Sequence, residues 1–203
     1  MTIIPRIKNF IQCRKDNYNL WKLKRTIQKN VDQPTVLFDI GCGDRPQEFI
    51  QASNYLVLAD PQTKEETVIH ERIIDSPCLT IYKRKADWAE SLNLIEWVSG
   101  GFDITVCLMD VIEHLEKPTA RFLLEKTEKI ADQIVIFTPL GFMPQQDGEF
   151  NSHRSGWVPE DFARDGWKVW IFKNFHHVDF KGRELTTPHS AMLAVYKKCQ
   201  TTK

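Results

Sequence analysis

The chain has 203 residues, the size of one domain, with 42% hydrophobic and 27% charged residues. Its 27 basic and 27 acidic side chains cancel, which argues against a strongly basic nucleic-acid binder and against a disordered acidic chain. No apolar run reaches the length of a membrane span, and the first residues show no signal-peptide pattern. The five cysteines (Cys13, Cys42, Cys78, Cys107 and Cys199) include no Cys-x-x-Cys pair. A disulfide framework and a cysteine zinc site are therefore not expected, and a cytoplasmic setting is.

Residues 1–33 read as a basic helical segment that leads into a single domain over residues 34–203. Between Met1 and Val31 eight basic residues face one acid, Asp16. Leu20, Leu23, Ile27 and Val31 recur at helical spacing among those charges, as on a packing helix with a solvated basic face. From Pro34 onward, β-branched and aromatic runs predict strands at Thr35–Ile40, Tyr55–Ala59, Leu79–Tyr82, Phe102–Met109 and Gln133–Thr138. Lys117–Ala131 has a helical pattern. Strands separated by helix-length segments predict a parallel α/β sheet with nearly continuous apolar strands. Trp167–Phe172 and Ser190–Tyr196 read as a final pair that closes the sheet with an antiparallel member.

A glycine turn, Asp39-Ile-Gly41-Cys-Gly43-Asp44-Arg45-Pro46, follows the first strand. Two glycines two positions apart allow a tight turn and a close backbone approach to a ligand. The third glycine of a dinucleotide fingerprint is missing, which disfavours a nicotinamide cofactor. Asp60 ends the second strand, 19 residues after Gly41. A carboxylate there accepts from two ribose hydroxyls, or it is a turn residue of Asp60-Pro61. Asp87-Trp88 follows the third predicted strand and offers an acceptor beside a flat indole, or a plain helix start. Acids after three successive parallel strands converge on the carboxyl edge of the sheet, where ligands bind in such folds.

The run Val36–Gly43, then Leu58-Ala-Asp60, Ala86-Asp87-Trp88, and Phe102–Met109 continuing as Asp110-Val-Ile-Glu113-His114-Leu115, resembles the class I S-adenosylmethionine-dependent methyltransferases. The similarity covers about Pro34 to Thr138. It implies a Rossmann-like α/β fold: a seven-stranded, mostly parallel sheet flanked by helices, with the last strand antiparallel. It also implies S-adenosylmethionine as cofactor. Gly41 and Gly43 would let the backbone approach its methionyl part, and Asp39 would sit near its ammonium. Asp60 would hold the ribose, Asp87 with Trp88 the adenine, and Met109 would line the methionyl pocket. Arg45 and Pro46 depart from the pattern where many members have a third glycine. Cys42 reads as a small filler and not a nucleophile.

Methyl transfer to an alcohol needs a base, and imidazole has a suitable pKa. His114 is one candidate; the alternative is that Glu113-His114-Leu115 merely begins a helix. His153 is the other. It lies in Pro139–Val158, a segment without periodicity that combines polar groups with Phe142, Phe150 and Trp157. That mixture suits a lid over a polar small molecule such as a sugar, with His153, Arg154 and Trp157 in the acceptor pocket. The segment from His153 to Trp167 resembles bacterial methyltransferases of surface-polysaccharide pathways. Asp147, Glu149 and His153 fit no firm metal-ligand spacing, so no metal is expected. The competing readings are an RNA or protein methyltransferase docking through its basic N-terminal segment, and a non-catalytic cofactor-binding partner subunit.

Overall fold

The computed structural model describes residues 18–43, 47–71, 79–98, 100–146, 148–178 and 184–199. The remaining N-terminal segment and part of the glycine turn, Asp44 to Pro46, lie outside the described residues. One eight-stranded sheet organises the chain: β1 (Val36–Ile40), β2 (Tyr55–Ala59), β3 (Thr67–Glu71), β4 (Leu79–Arg84), β5 (Ile104–Met109), β6 (Gln133–Pro139), β7 (Trp167–Val178) and β8 (Glu184–Lys197). Their spatial order is β3-β4-β2-β1-β5-β6-β8-β7. The helices are α1 over residues 18–30, α2 (Trp88–Val98), α3 (Lys117–Ile130) and the short α4 (Gly148–Asn151).

Strands β4, β2, β1, β5 and β6 run parallel, and β8 inserts antiparallel between β6 and β7. The last strand of the chain is therefore antiparallel, as its sequence suggests. The strand count differs from the expected seven. The extra member, β3, pairs antiparallel with β4 at the sheet edge. Its five residues, Thr-Val-Ile-His-Glu, follow the charged stretch Lys64-Glu65-Glu66. So short a run, with Val68 and Ile69 about half exposed, gives no periodic signal beyond that of a loop.

Central strands are buried on both faces, which is why β1 and β6 read as continuous apolar runs. One face carries Phe38, Val106, Leu108, Ile134 and Ile136, covered by Leu92 and Ile95 of α2 and Leu124 of α3. The other carries Leu37, Cys107, Val135 and Phe137, covered by Leu23 and Ile27 of α1 together with Phe172 of β7. The basic helix α1 is thus packed onto the sheet. Leu20, expected on its apolar face, is 48% exposed beside Tyr18 and Trp21. Among the described residues no helix is long and apolar enough to cross a membrane.

Chain direction reverses at the sheet centre: β1 leads outward to β2 and β4, whereas β5 and β6 lie on β1's other side. The loops after β1 and β5 therefore diverge and leave a crevice at the carboxyl edge.

Candidate active site

A cavity of about 280 Å³ opens at that edge. Every parallel strand contributes to its wall. Ile40 and Gly41 come from β1, Asp60 and Gln62 from the end of β2, and Asp87 with Trp88 from beyond β4. Asp110, Val111 and His114 follow β5, while Phe150, Asn151 and Arg154 come from the segment after β6. A second cavity, of about 260 Å³, lies between α1 and residues 48–51. None of its lining residues follows directly on a parallel strand.

The glycine turn is held by its own backbone and by the two acids beneath it. Gly41 has φ 71° and donates its N–H to the Ala59 carbonyl at 2.7 Å. A Cβ on Gly41 would lie 2.6 Å from Val111 Cγ2. Both the left-handed backbone and the close approach therefore require glycine there. Gly43, at φ 56°, donates to Asp60 Oδ2 at 3.0 Å. Asp60 Oδ1 accepts from the Gln62 amide at 2.7 Å. Asp60 is thus a turn residue and a cavity wall at once, and each carboxylate oxygen keeps a second lone pair for a ligand. Asp39 is 1% exposed and accepts from the Gln47 amide at 2.8 Å. Burial pushes its carboxyl up to about 6, partly offset by that amide. Cys42 is half-buried, and burial with the nearby Asp39 and Asp60 charges pushes its thiol up to about 12. It has no thiolate character, in keeping with a filler role.

Asp87 and Glu90 form a reciprocal capping pair at the start of α2. Glu90 N–H donates to Asp87 Oδ1 at 2.8 Å, and Asp87 N–H donates to Glu90 Oε2 at 2.9 Å. Trp88 is 5% exposed, yet it forms part of the cavity wall. Its Nε1 is buried without a hydrogen-bond partner among the described residues.

Two expected pocket residues are elsewhere. Met109 packs toward the α1 face with Cys107, because side chains alternate along β5. Asp110, with φ 53°, turns the chain outward, and it lines the cavity in Met109's place. Trp157 is 1% exposed and belongs to the core. Its ring packs 5.7 Å from Phe162, and its Nε1 donates to Ser155 Oγ at 2.9 Å. The tryptophan anchors the base of the loop instead of facing an acceptor. The loop's tip, with Phe150, Asn151 and Arg154, is what reaches the cavity.

Backbone contacts fasten this loop to the motif after β5. The Arg154 and Ser155 amides donate to the Glu113 carbonyl at 2.8 and 3.1 Å. That contact brings His153 beside His114, with ring centroids 4.9 Å apart. His114 Nδ1 lies 3.3 Å from the Ser152 carbonyl, and His153 Nδ1 lies 2.6 Å from the Met143 carbonyl. Burial lowers the pKa of both imidazoles. Glu113 is 2% exposed, and its Oε2 accepts from Thr138 Oγ1 at 3.0 Å. Burial, and then the Asp110 carboxylate, push Glu113 well above the usual carboxylate range. Asp110 is exposed to the cavity, and the protein walls around it push its carboxyl above the usual carboxylate range. The sequence motif contains Asp110 and Glu113 but points to no role for either. The available signal was an acid directly before a histidine in a motif that follows a buried strand. Of the metal candidates drawn from the loop, Asp147 and the Glu149 side chain lie outside the described residues.

No family model and no curated protein matches the chain. Solved structures do. The small RNA methyltransferase HEN1 superposes with a TM-score of 0.50 at 13% identity, covering 95% of this chain and 26% of that one. This chain thus spans about a quarter of that protein's length. Magnesium protoporphyrin IX methyltransferase from Synechocystis PCC 6803, solved with bound S-adenosylmethionine, gives 0.44 at 14% identity, covering 98% of this chain and 85% of that one. The methyltransferase domain of bacterial CtHen1 gives 0.45 at 15% identity, covering 90% of this chain and all of that one. The superposition on HEN1, with the strand order and the crevice at the sheet centre, gives the chain the fold of the class I S-adenosylmethionine-dependent methyltransferases.

Proposed function

We propose that the protein is an S-adenosylmethionine-dependent methyltransferase acting on an oxygen or nitrogen of a polar small molecule such as a sugar or glycan precursor. One observation carries this reading: the strand-end cavity gathers the Gly41 turn, Asp60, Asp87, Trp88 and His114 around one space. Bound in that space, S-adenosylmethionine supplies an electrophilic methyl group on a sulfonium. Asp60 accepts from the ribose hydroxyls, and Trp88 covers the adenine with Asp87 at its edge. Asp39, buried beneath the glycine turn and not itself in the cavity wall, would favour the cofactor's ammonium through water or the turn backbone. The loop tip shields the methyl from bulk water and aligns the acceptor. The acceptor heteroatom bonds to the methyl carbon, and the electron pair of the broken bond returns to sulfur. The acceptor proton passes to a neutral imidazole, with His114 in the cavity wall and His153 beside it.

A second reading, an RNA acceptor, has its own observation. Tyr18 and Trp21 stack at 6.0 Å on the basic helix α1 and are both more than half exposed. Such a pair suits base stacking. Transfer of labelled methyl groups to a panel of sugars, sugar phosphates and small amines, run beside short RNA, separates the two. Label in the small-molecule arm supports the first reading, and label in RNA alone replaces it. Asp60→Ala is expected to weaken S-adenosylmethionine binding by about 1–3 kcal/mol, the cost of leaving hydroxyls unpaired in a closed site. An unchanged dissociation constant in the folded variant would leave Asp60 as a turn residue only.

A further inference from the structure

We infer that Glu113, His114 and His153 form a binding site for one divalent first-row transition-metal cation at the inner wall of the cavity. One potential ligand atom from each of the three residues lies within 4.8 Å of the others. Two imidazoles and one carboxylate are a donor set that such cations favour, and that the all-oxygen preference of calcium does not match.

Three independent features make this more than a cluster. First, Glu113 is 2% exposed and its Oε1 has no hydrogen-bond partner among the described residues. A buried carboxylate oxygen left bare is costly, and a cation is the ligand that offsets that cost most fully. Second, the other oxygen, Oε2, is fixed by Thr138 Oγ1 at 3.0 Å, which sets the carboxylate's orientation. Third, both imidazoles are oriented through Nδ1 by backbone carbonyls, Ser152 for His114 and Met143 for His153. A ring nitrogen that donates to a carbonyl carries the proton, so the lone pair lies on Nε2. Metal-ligating histidines are held in this way, by a hydrogen bond from the nitrogen opposite the ligand. Asp110 lines the same cavity beside His114.

The chain folds this way for a local reason. The Glu113 carbonyl accepts the amides of both Arg154 and Ser155. That clamp carries His153, forty residues along the chain from Glu113, into the space beside His114. The site is therefore assembled by two loops and does not depend on a helical His-x-x-x-His pattern.

The role of the cation rests on the methyl-transfer reading; its binding does not. With S-adenosylmethionine in the strand-end cavity, a cation at Glu113 lies at the wall that His114 shares with it. It would fix an acceptor hydroxyl there and withdraw charge from it. The acceptor oxygen then bonds to the methyl carbon, the carbon–sulfur electron pair goes to sulfur, and the hydroxyl proton leaves to solvent at the cavity mouth. With the cation bound, the two imidazoles are its ligands, and the base role described above belongs to the metal-free protein.

The test is a titration of the untagged, metal-stripped full chain with Mn²⁺, followed by electron paramagnetic resonance and competed with Zn²⁺. The expected result is one site per chain. His153→Ala and Glu113→Gln should each weaken Mn²⁺ binding at least tenfold, with circular dichroism confirming the fold. His153 is half-buried, so its variant is the safer of the two should Glu113→Gln fail to fold. Glu125→Gln, on the exposed face of α3, should leave Mn²⁺ affinity unchanged. Absence of stoichiometric binding of either ion, or parental affinity in His153→Ala, overturns the site. S-adenosylmethionine binding by the metal-stripped chain, measured alongside, shows whether the methyltransferase reading survives such a failure.

Discussion

Trp157→Ala is expected to lower the unfolding free energy by about 3–5 kcal/mol, the range for truncating a fully buried aromatic side chain. The ring is 1% exposed, packs on Phe162, and lies under Lys117 Nζ at 5.2 Å from its centroid. Its carbonyl also accepts the Gly141 amide at 2.6 Å, so the residue ties the two ends of the 140–157 loop together. Lys117 and Arg121 of α3 hold the nearby Asp161 at 2.7 and 2.6 Å and secure the far end. Removal of the indole leaves a cavity beneath the loop and takes away the donor to Ser155 Oγ, which keeps only its own bond to the Ile112 carbonyl at 3.2 Å. Urea denaturation followed by circular dichroism checks this. A loss under about 1 kcal/mol would fit a surface role instead and return Trp157 to the acceptor pocket.

Gly41→Ala is expected to weaken S-adenosylmethionine binding by about 10- to 100-fold, equivalent to about 1.4–2.8 kcal/mol. Two costs combine. An alanine held at φ 71° is strained by about 1–2 kcal/mol. Its methyl group would also sit 2.6 Å from Val111 Cγ2, so the wall of the cavity must give way. Gly43→Ala is the control. Gly43 shares the left-handed backbone at φ 56°, but nothing lies within 4 Å of its added Cβ. Only the first cost applies there. Calorimetric titration of both variants should give the larger loss at Gly41. Equal losses would mean that the clash with Val111 plays no part.

The central layer of the sheet is legible because its strands are buried on both faces and carry nearly continuous apolar runs, as in Val-Leu-Phe-Asp-Ile and Gln-Ile-Val-Ile-Phe-Thr-Pro. The convergence of Asp60, Asp87 and Gly41 was legible for a related reason: parallel strands send every following loop to the same edge. Strand β3 was not legible, since five residues at an exposed edge have no core face to impose a period. Met109, expected in the pocket, packs toward the α1 face, and the next residue, Asp110, lines the cavity. The end of β5 cannot be read from apolarity alone, and the left-handed turn at Asp110 decides which side chain enters the cavity. Trp157 was given to the pocket because an aromatic in a long loop looks available. In the folded chain the loop's base is core and only its tip is site. The pairing of His114 with His153 depends on the amides of Arg154 and Ser155 meeting the Glu113 carbonyl. A backbone contact of that kind leaves no trace in side-chain chemistry.

The strand-end cavity is expected to bind S-adenosylmethionine. Isothermal calorimetry of the unmodified chain with S-adenosylmethionine, S-adenosylhomocysteine and NAD tests it most directly. One adenosyl ligand per chain is expected for the first two, and no heat with NAD. A clear NAD isotherm with no heat from either adenosyl ligand would contradict it.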